Sequence, residues 1–318
     1  MRKDTILIIG ANGQLGSVLT EKLQTIFGYD HVISSDIRQP AEEKSIFEYL
    51  DILDKKRLEA VVEKYQVTQI YHLAAILSAS GEKNPLKTWD INMQGLLNVL
   101  ELARVKKLSK VYFPSSIAVF GLETPRINTP QHTVLAPTTV YGMSKVAGEN
   151  WCQYYCKRYG MDIRSLRYPG VIGYQSLPGG GTTDYAVDIF HKAILKESFV
   201  CFLEAETKLP MIYMDDVIRG TIELMDAPSS DISIRTSYNL SGVSFSPKEI
   251  TEAIQKYIPS FKTSYSPDFR QAIAESWPDS IDDSQAKKDW GWKTMYDLEG
   301  MTEDMLFQLG KKYKPVLA

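Results

Sequence analysis

Thr5-Ile6-Leu7-Ile8-Ile9-Gly10-Ala11-Asn12-Gly13-Gln14-Leu15-Gly16 decides how this chain folds. Five β-branched or aliphatic residues stop at a glycine, and a helical pattern over Gln14–Ile26 follows at once. A short buried strand that turns directly into a helix is the opening of a parallel α/β sheet. Glycines at 10, 13 and 16 let the backbone come close to an anionic group, where the helix N-terminus offers unpaired N–H groups and the positive end of its dipole. The spacing is G-x-x-G-x-x-G rather than G-x-G-x-x-G. A tight turn with no ligand is the other reading; the position, in the first strand-to-helix turn, favours a pyrophosphate.

Outward from this stretch, strand-like runs are predicted at Ile6–Ile9, His31–Ser34, Ser45–Leu50, Gln69–Leu73, Lys110–Pro114 and Asp162–Arg167. Helical patterns alternate with them at Gln14–Ile26, Asp54–Tyr65, Pro85–Lys106 and Val140–Tyr159. Strand–helix alternation with right-handed crossovers predicts a doubly wound parallel sheet, a Rossmann fold, with a smaller α/β substrate-binding lobe. Residues 1–170, with a return around 211–240, are expected to form the dinucleotide-binding domain, and 171–210 with 241–318 the smaller lobe. In that lobe helices are expected at Pro247–Tyr257, Asp283–Asp289 and Asp297–Leu309. Pro178-Gly179-Gly180-Gly181 reads as a mobile loop.

The 318 residues carry 36 basic and 39 acidic side chains, a net charge of -3, which leaves no electrostatic footprint for nucleic acid. No apolar run approaches the length of a membrane span, and Thr5–Ile9 is too short for a signal segment. With 3 cysteines and 4 scattered histidines, neither a disulfide framework nor a metal set is expected. A soluble cytoplasmic protein is the expectation. Cys152 and Cys156, at helical spacing beside Trp151, Tyr155 and Tyr159, read as a core or interface stripe.

Asp36 follows Gly16 by 20 residues, at the end of the second strand, where an acid binds the adenosine ribose 2′-hydroxyl and repels a 2′-phosphate. That favours NAD over NADP; a turn cap is the alternative, and Arg38 stands two residues on. Tyr141-Gly-Met-Ser-Lys145 puts a phenol and an ammonium on one helix face. A fixed cation favours phenolate and would move the tyrosine toward a working base. A plain surface pair is the alternative. Ser115-Ser116 lies 25 residues before Tyr141 (141 − 116), at a strand end where parallel-sheet ligands bind.

Together these residues resemble the extended branch of the short-chain dehydrogenase/reductase superfamily, in its glycines, Asp36, Ser116, Tyr141 and Lys145. The resemblance assigns cofactor contacts to Gly10, Asn12, Gly13, Gln14, Leu15, Gly16, Asp36, Ile37, Arg38, Asp51, Ile52, Leu73, Ala74, Ala75, Asn92, Tyr141, Lys145, Tyr168 and Pro169. Leu77–Pro85, Pro114–Ile117, Gly181-Thr-Thr-Asp-Tyr-Ala186 and Glu275-Ser-Trp-Pro-Asp-Ser280 are similar, nearly end to end, to the epimerase-like L-threonine 3-dehydrogenase family. That similarity implies NAD-dependent oxidation of L-threonine at Cβ to 2-amino-3-oxobutanoate, with Tyr141, Lys145 and Ser116 catalytic. It also implies an amino-acid site lined by Ser78, Ser115, Ser116, Tyr141, Gly181, Thr182, Thr183 and Trp277. Thr182, Thr183 and Trp277 read on their own could equally be loop and packing residues. A nucleotide-sugar 4-epimerase or dehydratase, or an NAD-sensing regulator without chemistry, are the other functions compatible with the core motifs. A homodimer is expected, because the helices at Pro85–Lys106 (Leu96, Leu97, Val99, Leu100) and Val140–Tyr159 (Val146, Trp151, Tyr154, Tyr155) carry apolar residues on more than one face.

Overall fold

The computed structural model describes residues 4–40, 46–179 and 181–317. Ser45, which opened the expected third strand, and Gly180 of the glycine loop lie outside the described residues. The first part of the chain alternates as β1 (Ile6–Ile9), α1 (Gln14–Phe27), β2 (Val32–Asp36), β3 (Phe47–Tyr49), α2 (Lys55–Tyr65), β4 (Gln69–His72), α3 (Ser78–Gly81), α4 (Pro85–Lys106), β5 (Lys110–Ser116), α5 (Val140–Tyr159) and β6 (Ile163–Tyr168). There follow β7 (Gly170–Ile172), α6 (Tyr185–Ile194), β8 (Phe199–Cys201), β9 (Leu209–Tyr213), α7 (Met214–Asp226) and β10 (Tyr238–Asn239). The chain closes with β11 (Val243–Phe245), α8 (Pro247–Gln255), β12 (Thr263–Tyr265), α9 (Arg270–Glu275), α10 (Ser284–Trp290) and α11 (Leu298–Leu317).

Seven strands in the order β10-β6-β5-β4-β1-β2-β3 form one sheet, and every neighbouring pair in it runs parallel. This is the doubly wound Rossmann arrangement. The pleat divides its apolar residues cleanly. Ile6 and Ile8 pack with Leu19, Leu23, Tyr112 and Val217 on the side of α1 and α7. Leu7 and Ile9 pack with Val61, Leu96, Val99 and Phe113 on the side of α2, α4 and α5. Successive strand residues point to opposite faces, so a strand buried against apolar side chains on both sides favours apolar residues throughout, as in Ile6–Ile9.

A second core gathers Tyr185, Phe190, Phe199, Leu209, Phe245, Ile250, Trp277, Met301 and Leu309. It lies against two small sheets, β11-β9-β7 and β12-β8. β10 returns to the edge of the large sheet beside β6, and Trp292 packs into the α1/α7 core. The ends of the two long helices are set by their caps. Asn84 accepts from the Lys87 amide ahead of Pro85, and Thr139 accepts from the Gly142 amide ahead of α5. Such caps are each worth about 1 kcal/mol. Among the described residues no helix is long and apolar enough to cross a membrane.

Candidate active site at the carboxyl ends of the parallel strands

Gly10 has φ of 88°, a left-handed conformation that favours glycine, and a Cβ there would lie 2.7 Å from the Ala74 amide nitrogen. A Cβ on Gly16 would lie 2.1 Å from the Gly10 carbonyl, so only glycine lets α1 start this close to β1. Gly13 is different: a Cβ there meets only the Gly10 oxygen, at 3.2 Å. Gly13 is also the N-cap of α1, and no side chain caps that end among the described residues. The first amides of α1 thus face the loop side uncapped, a fit for a pyrophosphate. Gln14 reaches across to the Val171 carbonyl at 3.5 Å.

At the end of β2, Asp36 accepts the Asn12 amide at 3.0 Å and the Arg38 amide at 2.9 Å, with the Arg38 guanidinium 3.3 Å away. Asn12 in turn donates to the Arg38 carbonyl at 2.6 Å. The acid is buried, Ile37 and Arg38 are exposed, and the glycine turn is tied to β2 through these contacts. Asp51 caps the turn over Leu53, while buried Ile52 sits under Gly95 with its carbonyl held by Asn98 at 2.8 Å. Asn92 uses its whole amide on structure: Ile76 donates to it at 2.9 Å, and it donates to the Ile76 carbonyl at 3.1 Å and to Ser144 at 3.2 Å. It therefore fixes the Leu73–Ile76 segment, including Ala74 and Ala75, against α5. The Tyr168 hydroxyl is likewise committed, to Tyr112 and Thr221 beneath the sheet, which leaves its backbone and Pro169 at the strand end.

Tyr141 lies in the first turn of α5 and Ser116 at the end of β5, near enough for the serine hydroxyl to act on the phenol. Ser116 also accepts the Ala118 amide at 3.2 Å. Burial pushes the Tyr141 phenol up to about 12, with the Ser116 hydroxyl opposing the rise. Lys145, one turn on, is buried with its ammonium donating to the Pro114 carbonyl at 2.7 Å and standing 5.4 Å from the Tyr141 ring centre. Burial pushes it down to about 7. Burial thus opposes the charged form of both groups, while the ammonium keeps the place beside the phenol that the four-residue spacing predicts.

Ser115 corrects the sequence reading. Neighbouring residues of a strand face opposite ways, and Ser115 is only 2% exposed, donating to the buried Glu149 of α5 at 2.6 Å. It does not join Ser116 at the cleft. Ser78 of α3 and Thr182, 104 residues apart, do meet, with hydroxyl oxygens at 3.5 Å. Thr183 packs on Gly170, and the Gly181 amide donates to Asp184 at 2.8 Å. Trp277 is buried in the second core, on a segment pinned to residues 126–138 by Arg126 on Asp279, the Asn128 amide on Ser280 at 2.8 Å and Thr138 on Ser276 at 3.0 Å. Asp216, in the first turn of α7, accepts from the Met295 and Tyr296 amides at 2.9 and 3.2 Å. Among the described residues no group of three or more His, Cys, Asp or Glu side chains is placed to hold a metal.

Two features escaped the sequence reading. His72, at the end of β4, is buried with Nδ1 unpartnered, and burial drives it well below the usual histidine range, with the Lys145 charge adding to the effect. Glu149, one turn after Lys145, forms a buried ion pair with Arg167 at 2.7 Å. Its spacing from Lys145 was visible in sequence; its partner, 18 residues away, was not.

A parallel sheet with a glycine turn at β1, an acid at the end of β2, and Ser, Tyr and Lys gathered at the end of β5 defines a nucleotide-cofactor oxidoreductase of the Rossmann class. Residues 6–241 match the model of the NAD dependent epimerase/dehydratase family, and the chain belongs to that family. An uncharacterized epimerase/dehydratase of Staphylococcus haemolyticus is 47% identical over 97% of this chain and 98% of its own length. The solved GalE-like L-threonine dehydrogenase of Cupriavidus necator, in its holo form, is 54% identical with a TM-score of 0.95, covering 96% of this chain and 99% of that one. A monomeric L-threonine 3-dehydrogenase from a metagenome, in its apo form, is 45% identical with a TM-score of 0.95, covering 98% and 100%.

Proposed function

We propose that this protein is an NAD-dependent L-threonine 3-dehydrogenase, removing hydride from Cβ of L-threonine to leave 2-amino-3-oxobutanoate. The observation that carries the reading is the end-to-end likeness to the Cupriavidus necator enzyme. The meeting of the Ser78 and Thr182 hydroxyls, on the side of α3 that packs with α5, supports it, since short hydroxyls suit a small zwitterion. In this reading NAD, when bound, accepts the hydride. Tyr141 takes the proton from the substrate hydroxyl and Ser116 holds that oxygen as charge develops on it. Lys145 holds the nicotinamide ribose, the α1 N-terminus the pyrophosphate, and Asp36 the adenosine ribose. Ser78, Gly181, Thr182 and Thr183 hold the amino acid's carboxylate and ammonium, with Trp277 as the wall behind them.

The test is direct. Purified protein given L-threonine and NAD should show the near-ultraviolet absorbance of NADH, whereas conversion of a nucleotide sugar with no threonine-dependent signal would overturn the reading. NAD over NADP belongs to Asp36, so Asp36→Ser should narrow the ratio of kcat/KM values for the two cofactors. An unchanged ratio would make Asp36 only the tie between the glycine turn and β2.

Residues 1–170 with 211–240 are proposed as the cofactor half, and 171–210 with 241–318 as the half that closes on substrate. Pro178 and Gly179 are exposed while Thr182 is 1% exposed. Ordering glycine costs more entropy than ordering any other residue, and bound threonine is expected to supply the contacts that offset it. Amide exchange at residues 181–186 should therefore be fast with NAD alone and slow on adding threonine. Equal protection in both states would make the threonines static lining.

The protein is further proposed to work in the cytoplasm as a homodimer. Its cysteines are free thiols. Leu96, Val99 and Leu100 of α4 are core residues, yet Trp151 and Tyr154 of α5 remain 38% and 48% exposed. An aromatic face of this kind suits an isologous contact. Light scattering should return twice the 36.0 kDa chain mass; the single mass would contradict the dimer.

A further inference from the structure

The α5 stripe Tyr141, Lys145 and Glu149 is stitched to successive residues at the end of β5. Tyr141 lies at the Ser116 end of the strand, Lys145 donates to the Pro114 carbonyl, and Glu149 accepts from Ser115. The register pairs Ser115 with Arg167 on the neighbouring strand, so both project to the same face and both reach Glu149. Arg167 grips that carboxylate with two nitrogens, at 2.9 and 2.7 Å, and its guanidinium lies 5.5 Å from the Phe120 ring centre. The pair is almost wholly buried: 4% and 1% of the Arg167 and Glu149 side chains are exposed.

Arg167 does more than pair with Glu149. Its remaining terminal nitrogen donates to the Gln131 carbonyl and to the Asn239 side-chain oxygen, both at 3.1 Å. Asn239 then donates to the Thr129 carbonyl at 3.1 Å and the Asp282 carbonyl at 3.2 Å. Thr129 pairs with the chain at Ser280–Asp282, three residues beyond Trp277. A continuous line of hydrogen bonds therefore runs from the catalytic face of α5 to the Trp277 segment.

We propose that Glu149 and Arg167 are positioning residues: they hold the Tyr141/Lys145 face of α5 in register with Ser116 and, through Asn239, hold the Trp277 segment over the same site. The inference rests on the dehydrogenase reading for its kinetic readout. A buried ion pair is weak evidence for stability, since apolar residues of similar volume often serve as well; geometry at the site is the role that apolar residues could not fill.

The experiment compares the parent with Glu149→Gln and with the double variant Glu149→Leu/Arg167→Met, which leaves no unpaired buried charge if the single variant folds poorly. The expected result is that kcat with threonine falls about tenfold or more in each folded variant while KM for threonine and NADH affinity stay within about threefold. Amide exchange at residues 276–282 in the NADH-bound double variant should accelerate about tenfold. A lowered melting temperature with kcat unchanged would make the pair merely structural and overturn the proposal, as would unchanged exchange at 276–282. If the parent itself forms no NADH from threonine, the dehydrogenase reading fails on its own, and the exchange measurement still decides the positioning claim.

Discussion

Tyr141→Phe is expected to abolish threonine-dependent NADH formation, by about a thousandfold or more, with NADH binding and melting temperature near the parent's. The change deletes one oxygen and keeps the ring that packs against the second core. Ser116 keeps its contact with the Ala118 amide, and no buried carbonyl or charge is stranded. The pH dependence carries the same assignment. A phenol pushed up to about 12 is almost entirely protonated near neutrality, and the base is the deprotonated form. Turnover by the parent should therefore rise with pH through the neutral range, and the residual activity of the variant should not. Activity within about tenfold of the parent would sink the assignment of Tyr141 as base.

Gly16→Val should strike both folding and cofactor binding. The new Cβ would sit 2.1 Å from the Gly10 oxygen and 2.9 Å from the Ala11 Cα, and both are backbone atoms that no rotamer change can move. The helix must back away from β1, at a cost of about 3 kcal/mol, the upper range for overpacking. NADH affinity should fall about a hundredfold, because the uncapped amides at the start of α1 move with it. Gly13→Ala is the control, with only one contact, at 3.2 Å. It should melt near the parent while still weakening NADH. Parental affinity in Gly16→Val would mean that the helix start is not the pyrophosphate site.

The boundaries of α4 and α5 were readable to the residue because Asn84-Pro85 and Thr139 are start signals with a local mechanism. β1 was readable because its four residues, buried on both faces, form an unbroken apolar run that stops at a glycine. The second lobe resisted for a complementary reason. Its strands β7, β8, β11 and β12 are three residues each, too short to display a period. α6, buried on most of its surface, follows directly on the glycine run, and α7 likewise went unrecognised. At the site, adjacent hydroxyls at 115 and 116 gave no sign of which one faces the cleft. That choice is made by the register of β5 against β6, and by a Glu149 carboxylate whose partner comes from a different element.

β10 has a consequence for how the molecule is made. Its two residues, Tyr238 and Asn239, pair with Leu166 and Arg167, some seventy positions earlier in the chain. During synthesis the amino-terminal strands emerge first and can assemble, since domains fold from that end as units. Until residue 239 has left the ribosome, however, β6 is an open sheet edge, and the Arg167 guanidinium lacks the Asn239 acceptor that completes its shell. A nascent chain halted between α7 and β10 would hold its glycine turn, Tyr141 and Ser116 and still present a bare strand to its neighbours. Birth of the finished enzyme thus waits on a dipeptide, and stalling in that window is where co-translational aggregation of this chain would concentrate.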